Sequence, residues 1–236
     1  MIKINFNLIM VCLLVFVIPT FAQFQVGPLV GANLSSLNIP DDPIKLDDRD
    51  SRVVNTKSGL VAGVTIIYNF SSMFSVQLEP AYTQKGAFIY TTQTDVGLIL
   101  EIDQTIEMDY IDVPVLFKVS FDGDFIKPFL LGGANIGIPL EDTKVRIDKV
   151  IANGEDVTYI IPSEVIEQEL KNESIDYGLN FGAGILFPIG AINMFFQAQY
   201  NIGLTDLNTE APQEGVQQDV IKNRGFQIKT GILVSL

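Results

Sequence analysis

The sequence predicts an all-β protein: a transmembrane up-and-down antiparallel β-barrel of about eight strands, with long extracellular loops and short periplasmic turns. Three observations lead there. Stretches of roughly ten residues recur in which apolar and polar side chains alternate, the period of a strand with two unlike faces. The polar phase is mostly Gly, Ser, Thr, Asn and Gln, small groups that fit a narrow interior, with Lys and Glu gathered in the connections. Those connections alternate between short and long. The chain has 47% hydrophobic and 18% charged residues, where a soluble domain carries about 25% charged, so its apolar surface needs lipid or a partner. A net charge of −13 argues against a nucleic-acid partner, which requires clustered Lys and Arg.

In chain order, residues 1–22 read as a secretory signal peptide, leaving 23–236 as one outer-membrane β-barrel domain. Lys3 supplies the basic start, Leu8–Ile18 the apolar run, and Thr20-Phe21-Ala22 the small residues ahead of cleavage between Ala22 and Gln23. The apolar run is shorter than the roughly 20 residues a membrane-spanning helix needs. Cys12, the only cysteine, lies within it, so the exported protein has no disulfide to form.

Strands follow at about 24–34, 57–69, 74–83, 105–119, 127–138, 175–187, 194–202 and 226–236. In the last, Phe226, Ile228, Thr230, Ile232, Val234 and Leu236 alternate with Gln227, Lys229, Gly231, Leu233 and Ser235. Short turns fall at Asn69-Phe70-Ser71-Ser72, Phe121-Asp122-Gly123-Asp124 and Pro188-Ile189-Gly190-Ala191. The long connections are 35–56, 86–104, 139–172 and 203–221. Two of these read as hairpins above the membrane, one turning at Thr94-Asp95-Val96-Gly97. The other turns at Asn153-Gly154, between Val145/Ile147 and Val157/Tyr159/Ile161. Ten strands result if that second hairpin enters the membrane. Ser163, with Glu164, Glu167 and Leu170, starts one short helix.

A soluble lipocalin-type barrel also alternates, with its apolar face inward. The small uncharged polar phase and the full-length apolar phase favour the membrane. There an open sheet edge would leave N–H and C=O groups without partners, so closure is required. The location expected is the outer membrane of a Gram-negative cell, with outer-membrane lipid as one partner.

Several blocks resemble a known family. Val26-Gly27-Pro28-Leu29-Val30-Gly31-Ala32-Asn33-Leu34-Ser35 resembles the opening of the Bacteroidetes outer-membrane β-barrel family, often called porin-like or PorT-like. So do Leu78-Glu79-Pro80-Ala81-Tyr82-Thr83-Gln84-Lys85-Gly86, Tyr110-Ile111-Asp112-Val113-Pro114-Val115-Leu116-Phe117-Lys118 and Lys127-Pro128-Phe129-Leu130-Leu131-Gly132-Gly133-Ala134. Tyr200-Asn201-Ile202-Gly203-Leu204-Thr205-Asp206 and the Gly231 strand complete the match. The resemblance implies an eight-stranded outer-membrane barrel and no single activity. The closing Lys229–Leu236 segment resembles the signal read by the barrel-assembly machinery, although Val234 and Leu236 stand where aromatics are usual.

Chemistry finds little purchase. The outer-membrane barrel hydrolases and acyltransferases use histidine as general base or its partner, and this sequence has none. Neither a catalytic site nor a cofactor is expected. Glu79 and Asp112, on interior positions of neighbouring strands, and Lys118 and Lys229, as interior cations, form a candidate charged network. Its simpler reading is structural, since buried charges must be paired. The acidic first loop, with Asp41, Asp42, Asp47, Asp48 and Asp50, lacks the spacing of a defined calcium loop, so no metal site is expected. The functional expectation is a non-enzymatic barrel whose external loops bind an envelope or external protein partner. The alternatives are a narrow channel or small-ligand conduit, or a secretion-system accessory barrel. Leu131, Leu186, Phe195 and Leu233 on the inward phase argue against conduction.

Overall fold

The computed structural model describes residues 24–39, 50–95, 97–170, 175–207 and 221–236. Their strands are β1 (Phe24–Asn38), β2 (Ser51–Asn69), β3 (Phe74–Leu78), β4 (Ala81–Asp95), β5 (Leu98–Ser120) and β6 (Lys127–Pro139). β7 (Thr143–Ala152), β8 (Glu155–Asp156), β9 (Glu167–Leu170), β10 (Asp176–Ile189), β11 (Ile192–Gly203) and β12 (Lys222–Ser235) follow. The signal peptide, its Ala22/Gln23 junction and Asp41, Asp42, Asp47 and Asp48 lie outside the described residues.

The ring has eight staves, because β3 and β4 lie end to end between β2 and β5. They part at Glu79-Pro80, where proline has no N–H to give to a ladder. The neighbours hold the break together: Val64 N–H donates to the Pro80 carbonyl at 3.0 Å and Glu79 N–H to the Pro114 carbonyl at 3.2 Å. From β5 the ring runs through β6, β10, β11 and β12, and β12 pairs with β1 to close it. Every pairing is antiparallel.

Register fixes the barrel's shape. Stepping from Gln25 through Ile67, Gln77, Leu116, Gly133, Asn180, Asn201 and Gly225 leads back to β1 at Ser35, ten residues further along. A displacement of ten over eight strands tilts them by roughly 40°, within the usual range for closed barrels.

The faces are inverted relative to a soluble barrel. On β12, Phe226, Ile228, Ile232 and Val234 are each at least 40% exposed, while Gln227 and Lys229 are at most 4% exposed. The outward apolar phase runs from Val234 to Phe226, about 20 Å of axial height at this tilt, near the height of a lipid band. Its next outward residue is Arg224, as Asp109 ends the corresponding run on β5. At the short-turn end Phe24–Tyr68, Tyr68–Phe70 and Phe74–Phe117 ring pairs, 4.8 to 5.8 Å between centroids, make an aromatic edge.

One side of the wall is much taller. β5 is 23 residues long, roughly 75 Å of extended chain, far more than one crossing needs. Its upper half pairs with β4 on one side and β7 on the other. β9 extends this sheet beyond β7. The β4–β5 hairpin thus stands above the lipid, as its turn signal suggests. The described part of that long connection, residues 140–170, stays outside the ring, which therefore has eight staves and not ten among the described residues.

Some local expectations need correction. Several strands run further than their apolar alternation: β1 reaches Asn38, β2 begins at Ser51 and β5 at Leu98. The second arm of the Asn153-Gly154 hairpin is two residues long, and Thr158–Ile160 is a 3-10 turn, not a strand. Thr158 Oγ1 caps β7 by accepting from Val150 N–H at 2.8 Å, which draws the chain out of the ladder. The helix at Ser163 is one turn, ending at Ile166, and Glu167–Leu170 is strand.

Candidate functional site

The side chains that fill the barrel stack in tiers. At the short-turn end, Leu29, Ile67, Leu116, Phe129, Leu131, Phe195 and Leu233 form an apolar plug, with Leu186 packed against it. Two inward glycines make room for it. A Cβ on Gly231 would meet the Phe195 ring at 2.7 Å, and one on Gly184 would enter the Phe129 ring.

Above the plug is a charge pair. Lys229 Nζ donates to Glu79 Oε2 at 2.8 Å and to Gln199 Oε1 at 3.0 Å. Gln199 donates to the same Glu79 oxygen at 3.0 Å, and Gln77 and Gln197 donate to Oε1. Glu79 is 0% and Lys229 2% exposed. Donors from three strands, β3, β11 and β12, thus converge on one carboxylate, held at the β3–β4 break. The carboxylate accepts four hydrogen bonds and the ammonium donates two, so the pair satisfies the conditions under which buried ions are tolerated.

A second group lies nearer the loops. Lys85 donates to Asp112 Oδ1 at 2.9 Å and to Asp176 Oδ2 at 3.2 Å, and lies over the Tyr110 ring at 4.3 Å. Asn135 donates to Asp112 Oδ1 at 3.1 Å and Asn223 to Asp176 Oδ2 at 2.9 Å. A second apolar cluster, Leu37, Ala87, Met108 and Tyr110, with Ile39, Leu207 and Ile221 against it, covers this tier.

The four candidate residues are therefore all interior but do not meet as one network. Glu79 and Lys229 pair directly, Asp112 belongs to the Lys85 group, and Lys118 makes no ion pair among the described residues. Its Nζ lies 3.9 Å from the Phe129 ring centroid instead. Lys85 and Asp176 were missed, although continuing the alternation 79, 81, 83 to 85, or 180, 178 to 176, places both inward.

Outside the lipid, the crown of β4, β5, β7 and β9 is rich in ionic contacts. Lys144 donates to Glu141 at 2.8 Å, which holds its amine above the usual lysine range. Thr158 donates its hydroxyl and its N–H to Asp156 Oδ1, at 2.7 and 3.0 Å, keeping that carboxyl below the ordinary aspartate value.

Closed ring, outward apolar band and polar filled lumen define a β-barrel that spans a membrane. The chain belongs to the family described as outer membrane protein beta-barrel domain, whose model matches residues 21–208, and it is an outer-membrane β-barrel protein. Among solved structures it is similar to OprG from Pseudomonas aeruginosa (13% identity, TM-score 0.44, 90% of this chain and 95% of that one). It is also similar to Ail, the attachment invasion locus protein of Yersinia pestis, in complex with the heparin analogue sucrose octasulfate (16%, 0.38, 89% and 99%). Neisserial surface protein A is a third (12%, 0.42, 91% and 97%). No curated protein sequence matches the chain.

Proposed function

We propose that this protein is a non-enzymatic barrel that closes its own lumen and presents a crown of strands and loops to an envelope or external protein partner. One observation carries this reading: the interior is plugged by Leu29, Leu116, Phe129, Leu131, Phe195 and Leu233 at one end and filled with paired charges above, while β4 and β5 continue well past the lipid band. An eight-stranded barrel is just wide enough for side chains to fill it, so effort spent on longer strands serves the outside. The reading includes export by the 1–22 signal peptide, insertion by the barrel-assembly machinery and a Bacteroidetes-type, PorT-like relationship. Glu79 and Asp112 act as structural charges in it, both Glu79 oxygens and Asp112 Oδ1 being occupied by amide and ammonium donors.

Single-channel recording in planar bilayers tests the closed lumen: no stable openings are expected. Steady nanosiemens conductance moves the assignment to the narrow-channel alternative. For the crown, what co-purifies with the full chain is compared with what co-purifies after the segment from Glu141 to 174 is replaced by a short linker. Identical sets count against the external-binding reading.

A further inference from the structure

We propose that the loop-side lip of β12 holds the headgroup of a lipid carrying a phosphate monoester, with Arg224 and Lys222 as its ligands. The placement of these two cations leads there. Across three adjacent staves, register puts Leu34, Phe226 and Tyr200 in one row, and each is at least 40% exposed on the outer wall. The next outward row toward the loops is Ser36, Arg224 and Ile202, and beyond it Lys222 stands opposite Asn38. Arg224 and Lys222 therefore share one face of β12, two residues apart, roughly 7 Å along the strand. They stand directly above the apolar band, at the level where lipid headgroups begin.

Neither cation makes an ion pair among the described residues. Their cross-strand neighbours Ser36, Asn38 and Ile202 carry no charge. Asp206, on the connection beside them, accepts from the Ile221 N–H at 2.9 Å. On the taller side the exposed cations are spoken for: Lys57 meets Glu107, Lys144 meets Glu141 and Arg146 meets Asp148. The outward residues of β5 above the lipid band are the acids Asp109 and Glu107. In a chain of net charge −13, an anionic headgroup is thus repelled from the tall side and drawn to the short one.

The chemistry of the occupant follows from the pair and from the surface below it. A guanidinium offers parallel N–H donors that match two phosphate oxygens, and an ammonium on the same face can take a third. A phosphate monoester has three terminal oxygens to give, whereas a carboxylate has two. Exposed cations hold a free anion weakly, because water and salt compete. A lipid gains twice: its acyl chains lie on Leu34, Phe226 and Tyr200, and the membrane keeps its headgroup at the level of the cations.

The test is native mass spectrometry of the intact folded barrel, released from detergent micelles containing equal amounts of phosphatidic acid and phosphatidylcholine. The wild-type chain is expected to retain phosphatidic acid with about a tenfold preference. The double variant Lys222→Gln, Arg224→Gln, at positions outside the apolar band, is expected to lose that preference. Lys127→Gln, which removes a cation at the short-turn end, is expected to keep it. Oleic acid and inorganic phosphate, each at the concentration of the lipid, are expected to leave it in place. Equal retention of the two lipids by the wild type overturns the proposal without any variant. So does a preference that survives in the double variant or disappears in Lys127→Gln. Displacement by oleic acid or by inorganic phosphate also overturns it, reassigning the cations to carboxylate amphiphiles or to free phosphate.

Discussion

Replacing Lys229 by methionine tests how the lumen is held together. The substitution keeps an unbranched apolar stem as far as Cε and removes the ammonium. Glu79, 0% exposed, then keeps its amide donors from Gln77, Gln197 and Gln199 but loses its single ion-pair partner at 2.8 Å. Removing one member of a buried pair costs about 3–5 kcal/mol, because the other charge is left without compensation. Glu79→Gln in the same background removes that charge and keeps an amide network, so the double variant should return to within about 1 kcal/mol of wild type. The coupling between the two positions is then about 2 kcal/mol or more. Urea titration of barrels folded into lipid vesicles measures this, with the folded fraction read from unheated gels. A Lys229→Met barrel within 1 kcal/mol of wild type, or a double variant as weak as the two singles added, would refute the pairing argument.

Other outcomes follow from the same geometry. Lys118→Met should be neutral or stabilising, since the amine makes no ion pair among the described residues and lies 3.9 Å from the Phe129 ring centroid; a cation over a ring contributes about 0.5–2 kcal/mol, against the cost of burying an amine. The same urea titration decides it. Gly231→Val should lower stability by more than about 2 kcal/mol, because a Cβ there strikes both the Pro28 carbonyl and the Phe195 ring; folding yield in vesicles reports it. Joining residue 140 to residue 175 through a short turn should still give a folded, heat-modifiable barrel. The ring pairs β5–β6 and β6–β10 stop at Pro139 and begin at Asp176, so loss of the folded band would contradict the separation of crown from ring. Finally, the Asp156 carboxyl should titrate below a free aspartate by NMR and return toward it in Thr158→Val. Because its folded value is lowered, its contribution to turn stability is present above the unfolded value and fades as pH falls through the folded one. An Asp156 titration unchanged by Thr158→Val would remove the cause.

Much of this architecture is set by local chemistry. Phe226, Ile228, Ile232 and Val234 on one phase and Gln227 and Lys229 on the other determine the two faces of β12, because side chains of a strand point alternately. Asn153-Gly154 determines a tight turn, both residues adopting positive φ. The same alternation puts Glu79, Asp112, Lys118 and Lys229 inside the barrel. What the alternation does not contain is who meets whom. Glu79 pairs with Lys229, 150 residues away, and Asp112 pairs with Lys85 because Ala81 lies opposite Asp112 and Lys85, two inward positions further along β4, reaches back to it. Lys118 ends beside a ring in place of a carboxylate. Those partnerships depend on the ten-residue displacement accumulated around eight staves, a property of the closed ring that no single strand encodes. The sequence by itself determined which side chains face the lumen; only closure, through its register, decided which charges were left to share it.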